Sequence, residues 1–238
     1  MYKTHCMGSL RDTGRRLRRL LTRVCFAGKG TLARLAGGKV VSLRNIQTKS
    51  DYLEYLKRQK SKTEDPRRVA LWLGEEWEAK LSGFKDLFGK FETSLLDKTR
   101  TCLCVGARTG QEVVALLEMG HDAIGIDLVS FPPHVIEGDM HSIPFNDGKF
   151  DFVFCNVIDH SPFPDKAISE LERVCSHGGF IVVYLQEGMF VDEFSENLII
   201  KASTITEFFQ NSKIIESKKT STTFDGMTYY IVAQRALA

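Results

Sequence analysis

The chain has 238 residues, 43% of them hydrophobic, which is enough for one substantial folded domain and too little for three. Its net charge of +2 conceals an uneven distribution, because residues 1–48 carry eleven Lys or Arg against one acid, Asp12. The remaining residues hold 21 basic and 29 acidic groups, so the head is +10 and the body −8. The charge of the body argues against an extended surface for nucleic-acid phosphates.

Residues 1–48 are a predicted basic N-terminal extension. Leu10, Leu17 and Leu20 recur at roughly helical spacing among arginines, which predicts a basic amphipathic helix. The composition is typical of an organellar presequence and predicts an intracellular protein directed to a mitochondrion or plastid. A cationic helix on an anionic membrane surface and an unstructured tail on a cytoplasmic protein are the alternatives. No apolar run approaches the ~20 residues needed to span a bilayer.

Residues 49–98 are predicted to be a helical cap, or lead-in, to the main domain. Apolar residues three and four apart dominate this segment, and Pro66 is expected to begin a helix. The stripe of Trp and Phe between Trp72 and Phe91 favours packing against a core. Covering of a substrate pocket is the alternative.

From residue 101 to the end, short apolar strands alternate with helices. Apolar runs, rather than strict alternation, predict a doubly wound, Rossmann-like α/β fold with a mostly parallel seven-stranded sheet over residues 99–238. We expect a helix over 166–176 that ends at Gly178 and Gly179, and another helix over 195–211. An antiparallel hairpin is expected around Asp225-Gly226. The predicted strands are 101–107, 122–128, 135–139, 150–158 and 180–185, and the first helix between strands is 111–120.

The six cysteines include no CxxC pair, and no secretory signal precedes them. We therefore expect neither disulfides nor a metal site, since tetrahedral zinc needs four suitably spaced ligands. Cys102 and Cys104 share one face of a predicted strand, which suits small buried thiols.

A glycine turn follows the first predicted strand. Gly106 and Gly110 permit a tight backbone turn, and the helix that follows offers N–H groups to a ligand. Asp127 comes 21 residues after Gly106, at the end of the second strand, where a carboxylate accepts hydrogen bonds from both ribose hydroxyls. Arg108 and Gln111 replace two glycines of a dinucleotide fingerprint, and a Gly-Lys-Ser/Thr phosphate loop is absent. The pattern indicates another nucleoside-containing cofactor.

The ordered motifs of residues 100–185 resemble the class I S-adenosylmethionine-dependent methyltransferases, and more narrowly the methyltransferase type 11 group. The segments that carry the resemblance are LCVGARTG, AIGIDL, GDMHSIPFNDGKFDFVFCNVIDH and ELERVCSHGGFIVV. The resemblance implies S-adenosyl-L-methionine as cofactor and methylation as the reaction.

The resemblance also implies roles for individual residues. Gly106, Ala107 and Gly110 would line the methionine part of the cofactor, Asp127 would hold the ribose, and Leu128 and Met140 would lie against the adenine ring. Asp139 would accept from the adenine amino group, and Asn156 would lie near the methionine end or the transferring methyl. Two positions depart from the family pattern, because Arg108 replaces the middle glycine and Cys104 replaces the usual acid. Arg108 either places a guanidinium near the cofactor carboxylate or marks a domain with weakened cofactor binding.

His160, after the fourth strand of the motif region, is the candidate general base, with Asp159 to orient it. A capping or loop-orienting role is the alternative for this histidine. The first functional hypothesis is methyl transfer to a small molecule bounded by residues 52–91 and 186–194. A non-catalytic methyltransferase-like interaction module is the second. A nucleic-acid methyltransferase is the third, and the charge of the body and the absence of an Asn-Pro-Pro-Tyr signature argue against it.

Overall fold

The computed structural model describes residues 34–35, 40–188, 192–199 and 201–237. The predicted basic helix of the N-terminal head lies outside these residues. The part of the head that is described contributes to a small antiparallel sheet in the order β1-β2-β8. The strands of this sheet are β1 (Arg34–Leu35), β2 (Val40–Ser42) and β8 (Asn197–Ile199).

Three helices follow β2 along the chain and precede the first strand of the main sheet. They are α1 (Lys49–Glu64), α2 (Pro66–Leu73) and α3 (Trp77–Gly89). Thr48 begins α1 through a capping box with Asp51, in which each side chain accepts a hydrogen bond from the other residue's backbone N–H. Pro66 begins α2 as predicted, behind an Asp65 side chain that caps the helix.

The main sheet has seven strands, as predicted, in the order β5-β4-β3-β6-β7-β10-β9. The first five are mutually parallel, and β10 pairs antiparallel with both β7 and β9. The strands are β3 (Thr101–Val105), β4 (Asp122–Asp127), β5 (Val135–Glu137), β6 (Phe150–Cys155), β7 (Cys175–Leu185), β9 (Ser212–Phe224) and β10 (Met227–Arg235). Helices α4 (Gln111–Glu118) and α5 (Pro164–Val174) connect parallel strands.

Each face of the main sheet is covered by its own hydrophobic core. Cys102 and Cys104 are free, buried thiols on the face that packs against α3 and α4. On that face Phe88 lies edge-on to Phe154, with ring centroids 5.1 Å apart. The phenylalanine side chains of α3 are buried in this core, so much of the aromatic stripe serves packing, as predicted. Complete burial of a phenylalanine contributes roughly 1.5–3 kcal/mol to the stability of the fold. Trp72 of α2 is different, because it borders a cavity.

The helix predicted over 195–211 is wrong. Residues 197–199 form β8, and a 3₁₀ helix occupies Ala202–Phe208. The residues of β8 pair with Val40–Ser42, a partner more than 150 positions earlier in the chain. Apolar residues at three- and four-residue spacing carry no information about so distant a partner.

The helix predicted to end at Gly178 and Gly179 ends at Val174 instead. Cys175 is already extended and pairs with Phe150, whereas Phe180 pairs with Phe152, so the four residues 176–179 of β7 lie opposite the single residue Asp151 of β6. Gly178 has φ of +76° within this irregularity. The two glycines therefore accommodate a bulge in β7 rather than the end of a helix.

Among the described residues, no helix has both the length and the apolar character needed to cross a membrane.

Glu112, in the first turn of α4, is a buried carboxyl with 4% of its surface exposed. Burial raises its pKa from 4.5 to about 8, against smaller lowering effects of its own backbone N–H and of Arg108. Between pH 4.5 and about 8, the Glu112 carboxyl is deprotonated in the unfolded chain but still protonated in the folded chain. The free energy of unfolding therefore falls as pH rises, by at most about 1.4 kcal/mol per pH unit.

We predict that Glu112→Gln removes this contribution, so that the variant gains stability over the parent chain as pH rises from about 5 to about 8. Urea denaturation at both pH values measures the difference. Glu118→Gln, which changes an exposed acid at the other end of the same helix, is the matched control. Parallel pH profiles of the parent chain and Glu112→Gln would contradict the prediction.

Candidate functional site

The glycine turn lies at the carboxyl end of β3. Gly106, Arg108 and Gly110 all have positive φ, at +82°, +43° and +90°. A Cβ on Gly106 would lie 2.4 Å from the Val157 side chain, so this position requires glycine. The backbone N–H groups of Gly106 and Ala107 both donate to the carbonyl of Ile126 on β4, which holds the turn against the neighbouring strand.

Asp127 ends β4 beside this turn. Its Oδ2 accepts the backbone N–H of Arg108 at 3.0 Å, and its Oδ1 accepts that of Val129 at 3.3 Å. Burial raises the pKa of this carboxyl, and the same two N–H groups oppose the rise. Each carboxylate oxygen has a further lone pair available to a ligand.

A cavity of about 590 Å³, including its open mouth, lies above the ends of β3 and β4; we call it the main cavity. The last two turns of α1 form its roof, and Lys62 is part of that roof. Six predicted cofactor residues border the main cavity: Gly106, Arg108, Asp127, Leu128, Asp139 and Met140.

Three other predicted residues lie elsewhere. Ala107 is fully buried, and its methyl group packs against Gly125. Gly110 precedes α4 as its N-cap and does not border the main cavity. Asn156 borders two adjoining cavities, and its buried Oδ1 has no hydrogen-bond partner among the described residues.

Asp139 belongs to a hydrogen-bonded network that joins α1 to the loop after β5. The Tyr52 hydroxyl donates to its Oδ2, and the backbone N–H of His141 donates to its Oδ1 at 2.9 Å. His141 Nδ1 lies 2.9 Å from the same Oδ1, and its Nε2 lies 2.7 Å from Ser161 Oγ. Burial favours a higher pKa for Asp139, but these hydrogen bonds outweigh it and the pKa is lowered.

A second cavity of about 1010 Å³, open to solvent, lies beside the main cavity at the end of β6. Three basic side chains border it: Lys62 from α1, Arg68 from α2 and Arg108 from the glycine turn. The closest carboxylate oxygens to their terminal nitrogens lie at 3.9 Å, 3.5 Å and 3.6 Å among the described residues. These separations exceed those of strong charge-assisted hydrogen bonds, so the three side chains keep donors for a ligand.

The imidazole of His160 also borders both cavities. Its Nδ1 lies 2.9 Å from the carbonyl oxygen of Phe194, so Nδ1 carries the hydrogen and donates it. Its Nε2 lies 3.3 Å from Lys62 Nζ. The nearest Asp159 oxygen is 3.9 Å from Nε2, too far for a hydrogen bond, so the Phe194 carbonyl holds the ring.

A small cavity at the start of α4 completes the site. Glu112, Asn156 and Trp72 border it, as does Arg108. The Arg108 guanidinium lies 5.3 Å from the centre of the Trp72 ring, and its Nη2 lies 3.6 Å from Asp225 on the β9–β10 turn. Arg108 is therefore shared by all three cavities.

The predicted acceptor boundary, residues 52–91, includes Tyr52 and Lys62, but no individual role was predicted for either residue or for Glu112. Glu112 carried a signal, because it precedes buried Leu116 by four positions and so shares the buried face of α4. Lys62 carried none, because it stands in the charged segment KRQKSKTE among residues that are mostly exposed or half-buried. Within the described part of the chain, no group of three or more His, Cys, Asp or Glu side chains is arranged to hold a metal ion.

Comparison with known proteins agrees with this geometry. Residues 103–183 match the family model described as a methyltransferase domain. No curated protein matches the chain in sequence.

Several solved structures share the fold. One is the 1,6-didemethyltoxoflavin-N1-methyltransferase of Burkholderia thailandensis, solved with 1,6-didemethyltoxoflavin and S-adenosylhomocysteine bound. Its TM-score is 0.62 at 14% identity, over 83% of this chain and 95% of that chain. A Pyrococcus horikoshii protein has a TM-score of 0.54 at 15% identity, over 68% and 92% of the two chains. The cyclase SpnF has a TM-score of 0.53 at 17% identity, over 65% and 81%.

At such identities the structures establish a common fold, and the sequence match identifies the domain that carries it. Residues 103–183 thus match a methyltransferase domain, and the chain shares its fold with solved methyltransferase structures.

Proposed function

We propose that the main cavity binds S-adenosylmethionine and that the chain transfers the cofactor's methyl group to a small molecule. The main support for the proposal is that the glycine turn and the Asp127 carboxylate border the same cavity beneath α1. A nucleoside is recognised by such a turn and acid at the carboxyl ends of adjacent parallel strands.

The main cavity fits the adenosyl part of the cofactor. Asp127 has free lone pairs for the two ribose hydroxyls, since each of its oxygens accepts one backbone N–H. Leu128 and Met140 offer apolar surface to the adenine ring. Asp139 Oδ2 accepts one hydrogen bond from Tyr52 and has a second lone pair for the adenine amino group.

The small cavity fits the methionine part. A buried oxygen such as Asn156 Oδ1 needs a donor, and the cofactor ammonium is one. The buried Glu112 carboxyl is a second acceptor beside the same cavity. The Arg108 guanidinium offers a charge-assisted hydrogen bond to the cofactor carboxylate.

S-adenosylmethionine supplies a methyl group on a sulfonium sulfur, and the electron pair of the broken carbon–sulfur bond remains on sulfur. The chain contributes alignment, which accounts for much of the acceleration of such a transfer. The roof formed by α1 also limits the access of water to the cavity.

The second cavity is the proposed site of the methyl acceptor. It borders the same Arg108 and His160 as the main cavity and is bounded by α1, α2 and residues after β7. Its size fits a small molecule. The body charge of −8 argues against a nucleic-acid acceptor. The Burkholderia thailandensis relative holds a small molecule together with S-adenosylhomocysteine, which supports the proposal by analogy.

The same proposal assigns roles to the parts of the chain. Residues 99–238 are the methyltransferase domain, residues 49–98 its helical cap, and the part of residues 1–48 that precedes β2 an organellar targeting segment. A membrane-surface helix is the alternative for the last of these.

A non-catalytic methyltransferase-like module is the alternative function. One observation favours it, because both oxygens of Asp139 already accept hydrogen bonds from Tyr52 and His141. Isothermal titration with S-adenosylmethionine and S-adenosylhomocysteine separates the two functions. Binding is expected, and its absence at millimolar ligand would favour the module.

We predict that Asp127→Asn weakens binding of S-adenosylhomocysteine by about 10- to 100-fold, because an amide replaces a charged acceptor of two hydrogen bonds. Isothermal titration measures the effect. Asp122→Asn makes the same change at the exposed start of the same strand and should bind like the parent chain. Equal affinities of Asp127→Asn and Asp122→Asn would remove Asp127 from the proposed site.

Arg108→Ala tests contact with the cofactor carboxylate. Alanine keeps the Cβ and hence the backbone constraint at φ +43°, so the comparison isolates the guanidinium. We predict about 10-fold weaker binding of S-adenosylhomocysteine. Binding of 5′-methylthioadenosine, which lacks the amino-acid part, should not change. Unchanged affinity for S-adenosylhomocysteine would exclude the contact.

A further inference from the structure

Lys62 is a charged side chain that the roof helix places between the main and second cavities. Only 15% of the side chain is exposed. Its Nζ lies 3.3 Å from His160 Nε2 and 5.2 Å from the centre of the Phe194 ring. Its closest carboxylate oxygen, on Asp192, is 3.9 Å away. The amine is thus held by an imidazole and an aromatic ring rather than by a tight ion pair.

His160 fixes the direction of this contact. Because its Nδ1 hydrogen is donated to the Phe194 carbonyl, its lone pair is on Nε2 and faces Lys62. A neutral Lys62 amine donates one N–H to Nε2 and keeps its own lone pair for another group. The basic nitrogen of His160 is therefore occupied, and Lys62 presents the free lone pair.

The surroundings of Lys62 make its ammonium easier to deprotonate than that of an exposed lysine. Burial lowers the pKa of Lys62 most, followed by the positive charge of Arg108. Asp192 and Asp159 raise the pKa, but by less than burial and Arg108 lower it. The pKa of Lys62 therefore stays below its usual value. The charged groups that act on Lys62 are Arg108 from the glycine turn, Asp159 after β6, Asp192 after β7 and Arg68 of α2.

We propose that Lys62 is the general base of the reaction and that the methyl acceptor is an acidic hydroxyl compound, a phenol or an enol. The inference rests on the proposed function. The acceptor proton moves to the lone pair of Lys62 Nζ, giving an ammonium, and the O–H electron pair remains on oxygen as an anion. Methyl transfer to that oxygen forms a neutral ether and leaves the cofactor as a neutral thioether. His160 is a positioning residue, whose Nε2 accepts an N–H of the ammonium.

The basicity of Lys62 determines how acidic the hydroxyl of the acceptor must be. A phenol has a pKa of about 10 and an ordinary lysine ammonium about 10.4. Positive charge beside the second cavity lowers the pKa of a bound phenol, in the same direction as burial lowers the pKa of Lys62. An aliphatic alcohol is far too weak an acid for an amine base.

The charge of the second cavity selects oxygen over nitrogen. Arg68 and Arg108 border it with Lys62, and all three stabilise an oxyanion. Methylation of a neutral amine would instead create a cation beside them. The cavity therefore favours an acceptor that is anionic when it reacts.

The experiment uses the full chain and 4-nitrophenol, whose phenolate absorbs visible light whereas the phenol does not. We expect the protein to lower the ionisation pH of the bound phenol by about 1 unit or more, because a cation stands within a few ångströms of the oxyanion. Absorbance measures phenolate, and titration calorimetry in buffers of different ionisation enthalpy measures the protons released. In the parent chain, phenolate forms with almost no proton released, because Lys62 takes it.

Three variants separate charge from basicity. Lys62→Met should lose the phenolate absorbance. Lys62→Arg keeps the charge and should form phenolate, but with about one proton released per phenolate, because a guanidinium is not a base. Lys57→Met, which changes an exposed lysine of the same helix, should behave like the parent chain.

Three outcomes would overturn the inference: no phenolate in the parent chain, full phenolate in Lys62→Met, or proton release in the parent chain equal to that of Lys62→Arg. The measurement is made with and without S-adenosylhomocysteine, whose own titration tests cofactor binding. Cofactor binding without phenolate formation rejects the inference and leaves the proposed function standing. Phenolate formation without cofactor binding would contradict the proposed function, and with it the role of Lys62 in methyl transfer.

Discussion

The hydrogen bond between the Arg108 backbone N–H and the Asp127 carboxylate is the interaction on which the site depends. It closes the gap between the end of β3 and the end of β4, which the pairing of Val105 with Ile126 has already brought side by side. With both strands fixed, the glycine turn and the acid can only face the same space. The cost of left-handed backbone at Arg108, roughly 1–2 kcal/mol, is offset in part by this charge-assisted bond.

The roof of that space is held from two sides. Tyr52 ties the start of α1 to Asp139, and Arg58 near its end forms an ion pair with the buried Glu196. Glu196 precedes β8, so the small sheet and the roof share one anchor. A second arginine, Arg44, lies 3.3 Å from the same carboxylate. Glu196 is fully buried and depends on these two arginines to compensate its charge, so the anchor is structurally demanding. The cavity thus owes its shape as much to residues 40–64 as to the sheet below it.

Much of the fold could be predicted from the sequence, because apolar runs separated by helical periodicity describe β3 to β7 locally. The family resemblance and the seven-stranded sheet are confirmed. The helix assigned to 195–211 was wrong because β8 exists only through its pairing with β2, and no local pattern encodes a distant partner.

Within the site, the position of Asp127 beside the glycine turn could be predicted from its spacing along the chain. The positions of Lys62 and Tyr52 could not, since they depend on how α1 crosses the sheet, and that crossing is set by Arg58 and Glu196.

The contact between Arg108 and Asp225 has a consequence for the order in which the chain is made. The roof helix and the glycine turn are synthesised early, whereas Asp225 comes after every other residue that borders the three cavities except its neighbours Gly226 and Met227. A nascent chain that has completed β8 therefore has a turn, an acid and an anchored roof, but Arg108 lacks its carboxylate partner. The wall of the second cavity is finished only when the last hairpin docks beside β7. Completion of the ligand sites accordingly requires the final strand pair of the chain.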